Sequence, residues 1–207
     1  MIIAVDGPAA SGKGTIARRL AAHFGLPHLD TGGLYRAVGL AMLRAESDPD
    51  DAARAAEVAK TLDLGLLDDP ALRDAATAEA ASRIAVHPPL RAALVDVQRR
   101  FAGQAPGAVL DGRDIGTVIC PDADHKLFVT ADIETRAARR HKELIARGEA
   151  SIYARVLADL RRRDHRDSSR ATAPTRQADD AVELDTTDLD IEGAVAAALA
   201  TIARLNV

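Results

Sequence analysis

Apolar residues recur along this chain with two different periods. Ile2 to Val5 form an unbroken apolar run, the pattern of a short parallel strand buried on both faces. From Lys13 the spacing changes. Ile16, Leu20, Ala21 and Phe24 recur at helical intervals, and Gly25 stands where a helix end takes a left-handed residue. Residues 26–30 read as a short extended piece, followed by a helix capped by Asp30 or Thr31. Residues 50–61 predict an amphipathic helix with acidic residues at its start, and 62–70 a loop or a brief extended piece. Two helices are predicted within 72–102, separated by Pro88 and Pro89, which cannot continue the first. Further strands are expected at 108–111, 125–131 and 181–187, with helices over 132–147, from about Ser151, and over 190–205. Strand and helix alternate, which predicts an α/β fold with a parallel sheet flanked by helices.

Composition narrows the classes. A chain of 207 residues, 47% hydrophobic, buries one good core and is expected to form a single unit. The formal net charge of −4 and an aromatic content of 2% argue against a general nucleic-acid binder, whose footprint is basic with stacking rings. One cysteine, Cys120, excludes an internal disulfide and suits a reducing compartment. The N-terminal apolar run ends at Asp6, too early for a signal peptide, and the apolar stretch 194–203 is too short to span a bilayer. A soluble, cytoplasmic protein with no membrane partner is expected.

The candidate chemistry begins where the first strand ends. Gly7, Pro8, Ala9, Ala10, Ser11, Gly12, Lys13, Gly14 and Thr15 follow a glycine-rich spacing that matches a phosphate loop. Gly7 and Gly12 permit a sharp turn and close anion approach, and the helix start adds unpaired amides and a positive dipole end. Lys13 supplies a mobile charge. Gly14 departs from the general motif, which has Ser or Thr there to bind Mg²⁺. No protein metal ligand is therefore assigned. The ion is expected on nucleotide oxygens and water, with Thr15 as a candidate.

A second group of residues supplies what such a loop lacks. Arg36 lies near a helix start, against the favourable dipole direction, and so is a candidate for binding a specific anion. The predicted strand 108–111 ends in Asp111, placed to orient a metal-bound water, and Gly112, Arg113 and Asp114 follow at the same sheet edge. Arg163, Asp167 and Arg170 stand at i, i+4 and i+7 and share one face if the helix persists that far, with Arg166 beside them. A run of this type is often only a solvated face. Beside a phosphate loop, arginines on a mobile segment can neutralise a phosphoryl-transfer transition state. Residues 168–174 are a plausible hinge.

Six segments together resemble the bacterial cytidylate kinases: DGPAASGKGT at 6–15, LDTGGLYR at 29–36, ASRIAVHPPLR at 81–91, LDGRDIGTVICPDA at 110–123, RRRDHRDSSRATAP at 161–174 and AVELDTT at 181–187. The resemblance implies a three-layer P-loop NTPase fold with a small helical lid and ATP-dependent phosphorylation of CMP or dCMP with Mg²⁺ by a monomer. It implies a core of about 1–35 and 105–207, a monophosphate-binding excursion of about 36–104 and a lid of about 151–174. It places ATP phosphates on Gly7 to Thr15, with Lys13 on the β/γ oxygens. Thr31, Tyr35, Arg36, Asp111, Gly112 and Arg113 fall at the acceptor site, with Arg36 and Arg113 on its phosphate. Ser82, Arg91 and Asp114 match positions that recognise cytosine, Arg163 and Asp167 positions around the ribose, and Arg170 a position reaching base or phosphate. Lys13, Arg113, Arg163 and Arg166 would carry the catalysis, Arg166 on the lid.

The chain departs from the family in one place. Members usually carry a small β-rich insertion with a Gly-Glu-Asp turn between the helix after the second segment and the helix bearing the serine. Here about ten residues, 62–71, fill that gap without such a turn. A reduced, mostly helical monophosphate-binding subdomain is expected. Another nucleoside monophosphate or small-molecule P-loop kinase is the alternative. A GTP-hydrolysing switch would need an Asn-Lys-x-Asp motif, which is absent.

Overall fold

The first strand, β1 (Ile2–Asp6), is the middle of the molecule. A computed structural model describes residues 1–205; Asn206 and Val207, the end of the expected single unit, lie outside it. In chain order β1 is followed by α1 (Lys13–Phe24), β2 (His28–Asp30), α2 (Thr31–Arg44), α3 (Ala52–Lys60), α4 (Ala75–Ile84) and α5 (Pro88–Ala102). Then come β3 (Ala108–Gly112), β4 (His125–Thr130), α6 (Ile133–Ala146), α7 (Tyr153–Ser168), β5 (Val182–Asp185) and α8 (Ile191–Leu205). The five strands are all parallel in the order β2-β3-β1-β4-β5.

Because side chains alternate along a strand, the apolar run of β1 feeds both faces of the sheet. Ile3 and Val5 pack with Ile16 and Leu20 of α1 and Ala198 and Ile202 of α8. Ala4 packs on the opposite side with Leu110, Ile115 and Ile119. The carboxyl ends of β1 and β3 therefore open into one crevice, where parallel α/β sheets bind ligands.

Helices α2 to α5 form the excursion, with a core of Leu34, Val38, Met42, Ile84, Leu90 and Leu94. Residues 62–70 differ from the loop or extended piece expected. Two 3₁₀ turns, Leu64–Asp68 and Pro70–Arg73, occupy the segment. Asp63 and Asp69 accept from the amides of Gly65 and Ala71 at 2.8 and 2.9 Å, so aspartate caps bend the chain where strands would have run. Pro88 and Pro89 do separate α4 from α5, but as the first turn of α5, where a missing N–H costs nothing. The extended piece before α2 is a true strand, β2, at the sheet edge.

Candidate active site

The phosphate loop takes its shape from two glycines. Gly7 has φ +149°, and a Cβ there would stand 2.0 Å from the carbonyl oxygen of Val129. Gly12, φ +90°, opens α1 with no side-chain cap, so the first-turn amides face the crevice. Thr186 Oγ1 lies 3.0 Å from the carbonyl of Ser11 and braces the loop from behind. Arg136 donates to the Ala9 carbonyl at 3.2 Å and pairs with Asp164 of α7 at 2.7 Å. Lys13 Nζ donates to the Pro8 carbonyl at 3.2 Å, folded back on its own loop. Burial, and then the charge of Arg113, pull the Lys13 ammonium down to about 7.

Across the crevice the sheet edge carries the second set. Asp30 caps α2 by accepting from the Gly33 amide at 3.1 Å, and its other oxygen holds Arg36 at 2.5 Å. Thr31 Oγ1 donates to the Asp111 carbonyl at 2.8 Å. Gly112 is needed at the end of β3, since a Cβ would meet Thr31 Oγ1 at 2.6 Å. The segment after it, Ile115–Ile119, forms a single π-helical stretch. Its first amides, of Ile115 and Gly116, donate to Asp6 at 2.8 and 2.7 Å. Asp6 is buried, and desolvation pushes its carboxyl up to about 6 against those two hydrogen bonds.

Arg91 pairs with Asp114, both buried, and its guanidinium lies 5.6 Å from the centre of the Tyr35 ring. Burial pushes the Tyr35 phenol up to about 12. Asp167 accepts from Arg113 Nε at 3.0 Å and from Arg170, and lies 4.0 Å from Arg163 Nε. Burial opposes ionisation of Asp167, yet Arg113, Arg170 and Arg163 together hold its carboxyl below the usual range. The Arg163 guanidinium is pulled down to about 10 by burial and by Arg113.

A cavity of about 450 Å³ joins the two sets. It is lined by Ala9, Ala10, Gly12, Lys13, Gly14 and Thr15 of the loop, by Thr31, Tyr35, Arg36, Ser82 and Arg91, and by Asp111, Gly112, Arg113, Asp114, Arg163, Asp167 and Arg170. Gly7, Pro8 and Ser11 shape the loop without lining the cavity, and Ser11 is fully buried. Arg166 does not line it either: it donates to Ser82 Oγ at 2.6 Å and to Glu79 at 2.9 Å. The oxygen donors near the first turn of α1 suit a nucleotide-bound Mg²⁺. Thr15 and Asp111 both line the cavity. Between them Gly14 carries no side chain, and Asp111 Oδ2 lies 3.4 Å from where its Cβ would be. Asp6, Arg136, Thr186 and Glu79 were not anticipated from sequence. Asp6 and Thr186 lie inside segments that carry the family resemblance, at 6–15 and 181–187, but neither role is visible there.

A phosphate loop at the end of the central parallel strand, facing a separate arginine cluster across one cavity, defines a P-loop phosphotransferase. Comparison with known proteins narrows this class. A family model described as cytidylate kinase matches residues 3–204. Cytidylate kinases of Xanthobacter autotrophicus and Methylocella silvestris are 64% and 63% identical over 202 residues, covering 98% of this chain and 97% and 94% of theirs. A crystal structure of an uncharacterized protein from Eubacterium ventriosum shares the fold, with 16% identity, a TM-score of 0.55 and 98% of each chain covered. The chain belongs to the cytidylate kinase family.

Proposed function

We propose that the chain transfers the γ-phosphoryl group of ATP to a phosphate oxygen of CMP or dCMP, giving ADP and CDP or dCDP. The observation that supports this assignment is that one cavity is lined both by the glycine cradle and by Arg36 and Arg113. An acceptor phosphate oxygen attacks the γ-phosphorus in line, and the bond to the β–γ bridging oxygen breaks. The loop amides and Lys13 hold the donor phosphates, while Arg36 and Arg113 hold the acceptor phosphate. Asp114, oriented by Arg91, accepts from the exocyclic amine of cytosine, and Ser82 stands beside the base. Asp167 takes the ribose, fixing Arg163 and Arg170 as it does so. Arg163 and Arg166 neutralise charge on the transferring group, Arg166 by leaving Glu79 and Ser82 once the base engages the serine. Thr15 and Asp111 are the residues that would flank Mg²⁺ held on nucleotide oxygens and water, and the ion would neutralise charge on the phosphates.

In the same assignment 36–104 is the acceptor subdomain and 151–174 the lid of one kinase unit, acting as a cytoplasmic monomer. Among the described residues no helix is long and apolar enough to cross a membrane. A coupled assay of ADP release with CMP, dCMP, UMP and AMP as acceptors tests the reaction. CMP and dCMP are expected to stimulate release most, and absence of stimulation by CMP overturns the assignment. Asp114→Ala is expected to lower kcat/KM for CMP by about 100-fold while ATP binding stays within twofold. Equal losses in both would remove Asp114 from base reading.

A further inference from the structure

His28 has no role in the reaction as described above, yet it is the one hydrogen-bond partner of the Asp111 carboxylate among the described residues. Its Nε2 lies 2.7 Å from Asp111 Oδ1, with only 17% and 6% of the two side chains exposed. Since a carboxylate only accepts, Nε2 carries the proton of this bond.

The contact is built by the sheet. His28 pairs with Val109 and Asp30 with Asp111 in the parallel ladder, so alternation puts all four side chains on the same face, the one that packs against α1. His28 therefore reaches diagonally along that face, from one step behind the end of the strands. The register is set upstream as well. Gly25, φ +63°, ends α1, the Leu26 amide closes on the Ala21 carbonyl at 2.9 Å, and the Pro27 carbonyl accepts from the Val109 amide at 2.9 Å. With Oδ1 taken by His28, the free oxygen Oδ2 is the one turned to Gly14, 3.4 Å from the place of a Cβ. That is the position where a general phosphate loop carries its metal-binding hydroxyl.

We propose that His28 is a positioning residue for phosphoryl transfer: it fixes the Asp111 carboxylate so that Oδ2 is presented to the Gly14–Thr15 turn. This rests on assigning Mg²⁺ of the donor nucleotide to that turn. A carboxylate held at one oxygen keeps a single orientation without immobilisation at the moment of reaction, and loss of such an outer partner typically costs about 10-fold or more in metal affinity or activity.

The test compares His28→Asn, whose amide is too short to reach Oδ1, with His28→Gln, whose amide reaches it, and with Asp111→Asn. Mn²⁺ affinity of the ADP-bound full-length protein is read by electron paramagnetic resonance, alongside kcat, KM for CMP and the melting temperature. His28→Asn is expected to weaken Mn²⁺ binding and lower kcat by about 10-fold each, with KM for CMP within twofold, and His28→Gln to restore most of both. If Asp111→Asn weakens Mn²⁺ binding but His28→Asn does not, the role of His28 is overturned while the metal assignment stands. If Asp111→Asn leaves Mn²⁺ binding unchanged, the metal assignment fails and the role of His28 falls with it. A lower melting temperature for both His28 variants, without any change in kcat or Mn²⁺ affinity, would reduce the contact to a structural one.

Discussion

Two buried charges at the crevice are held away from their usual protonation equilibria, and each makes a measurable prediction. Lys13, pulled down to about 7, is mostly neutral in the free protein at pH 8. Donor phosphates favour the ammonium, so binding ATP at pH 8 is expected to take up close to one proton from buffer. Calorimetry in buffers of different ionisation heats reads this uptake, and Lys13→Met is expected to abolish it. Asp6 shifts in the opposite sense. Its carboxyl, pushed up to about 6 in the fold, binds more protons folded than unfolded between about pH 4 and 6. Its contribution is therefore fully present below pH 4 and lost as pH rises through 6. Urea unfolding of wild type and Asp6→Asn is expected to show the variant gaining about 2 kcal/mol relative to wild type across that window. A constant difference from pH 4 to 7 would exclude Asp6 as the titrating group. Asp6 was adjacent to a motif read from sequence, but its burial and its two amide partners, 109 and 110 residues away, were not legible there.

At the scale of elements, most of the excursion was readable because helix periodicity and proline are local signals. The close approach of α2 to α4 was not. A Cβ on Gly39 would meet the Ala81 amide nitrogen at 3.0 Å, so the two helix backbones nearly touch at the residue before Ser82. Gly39→Val is expected to cost about 2 kcal/mol in thermal or denaturant unfolding and to raise KM for CMP while KM for ATP stays unchanged. An equal change in both KM values would mean that the strain is not confined to the acceptor side. Arg163 and Asp167 share a face of α7, but the helix ends at Ser168, so Arg170 lies beyond it and reaches Asp167 from the segment that follows; the three still gather at the cavity. Arg166 sits about 60° round the helix from Arg163 by the same 3.6-residue period, enough to turn it from the crevice to α4. The π-helical stretch 115–119 had no local signature, because Asp6 of β1 takes the first two amides that a loop would have left to water.

The molecule as a whole is tied together by contacts that cross between the phosphate loop, helices α2 to α5 and the α6–α7 pair. Arg136 joins the Ala9 carbonyl to Asp164 of α7, and Arg147 reaches the Arg73 carbonyl, just before α4, at 3.0 Å. Arg136→Met, which keeps the apolar stem and removes the charge, is expected to destabilise by about 2–3 kcal/mol and to raise KM for ATP more than KM for CMP. Thermal unfolding and steady-state kinetics check both, and an unchanged KM for ATP would separate Arg136 from the loop.

The sequence by itself determined the strand–helix alternation, the phosphate loop and the shared face of Arg163 and Asp167 on α7. Each rests on residues within a few turns of one another, where backbone angles, caps and side-chain periods act directly. Only the tertiary structure decided that β2 is a strand, that Asp6 holds the loop after β3, that His28 meets Asp111, and that Arg166 rests on Glu79 and Ser82. Those partners lie 81 to 109 residues apart along the chain: β2 with β3 at His28 and Val109, Asp6 with Ile115, His28 with Asp111, Arg166 with Glu79. Their pairing follows from the order in which parallel strands assemble and from burial that leaves a polar group one available partner, and neither is written in a local pattern.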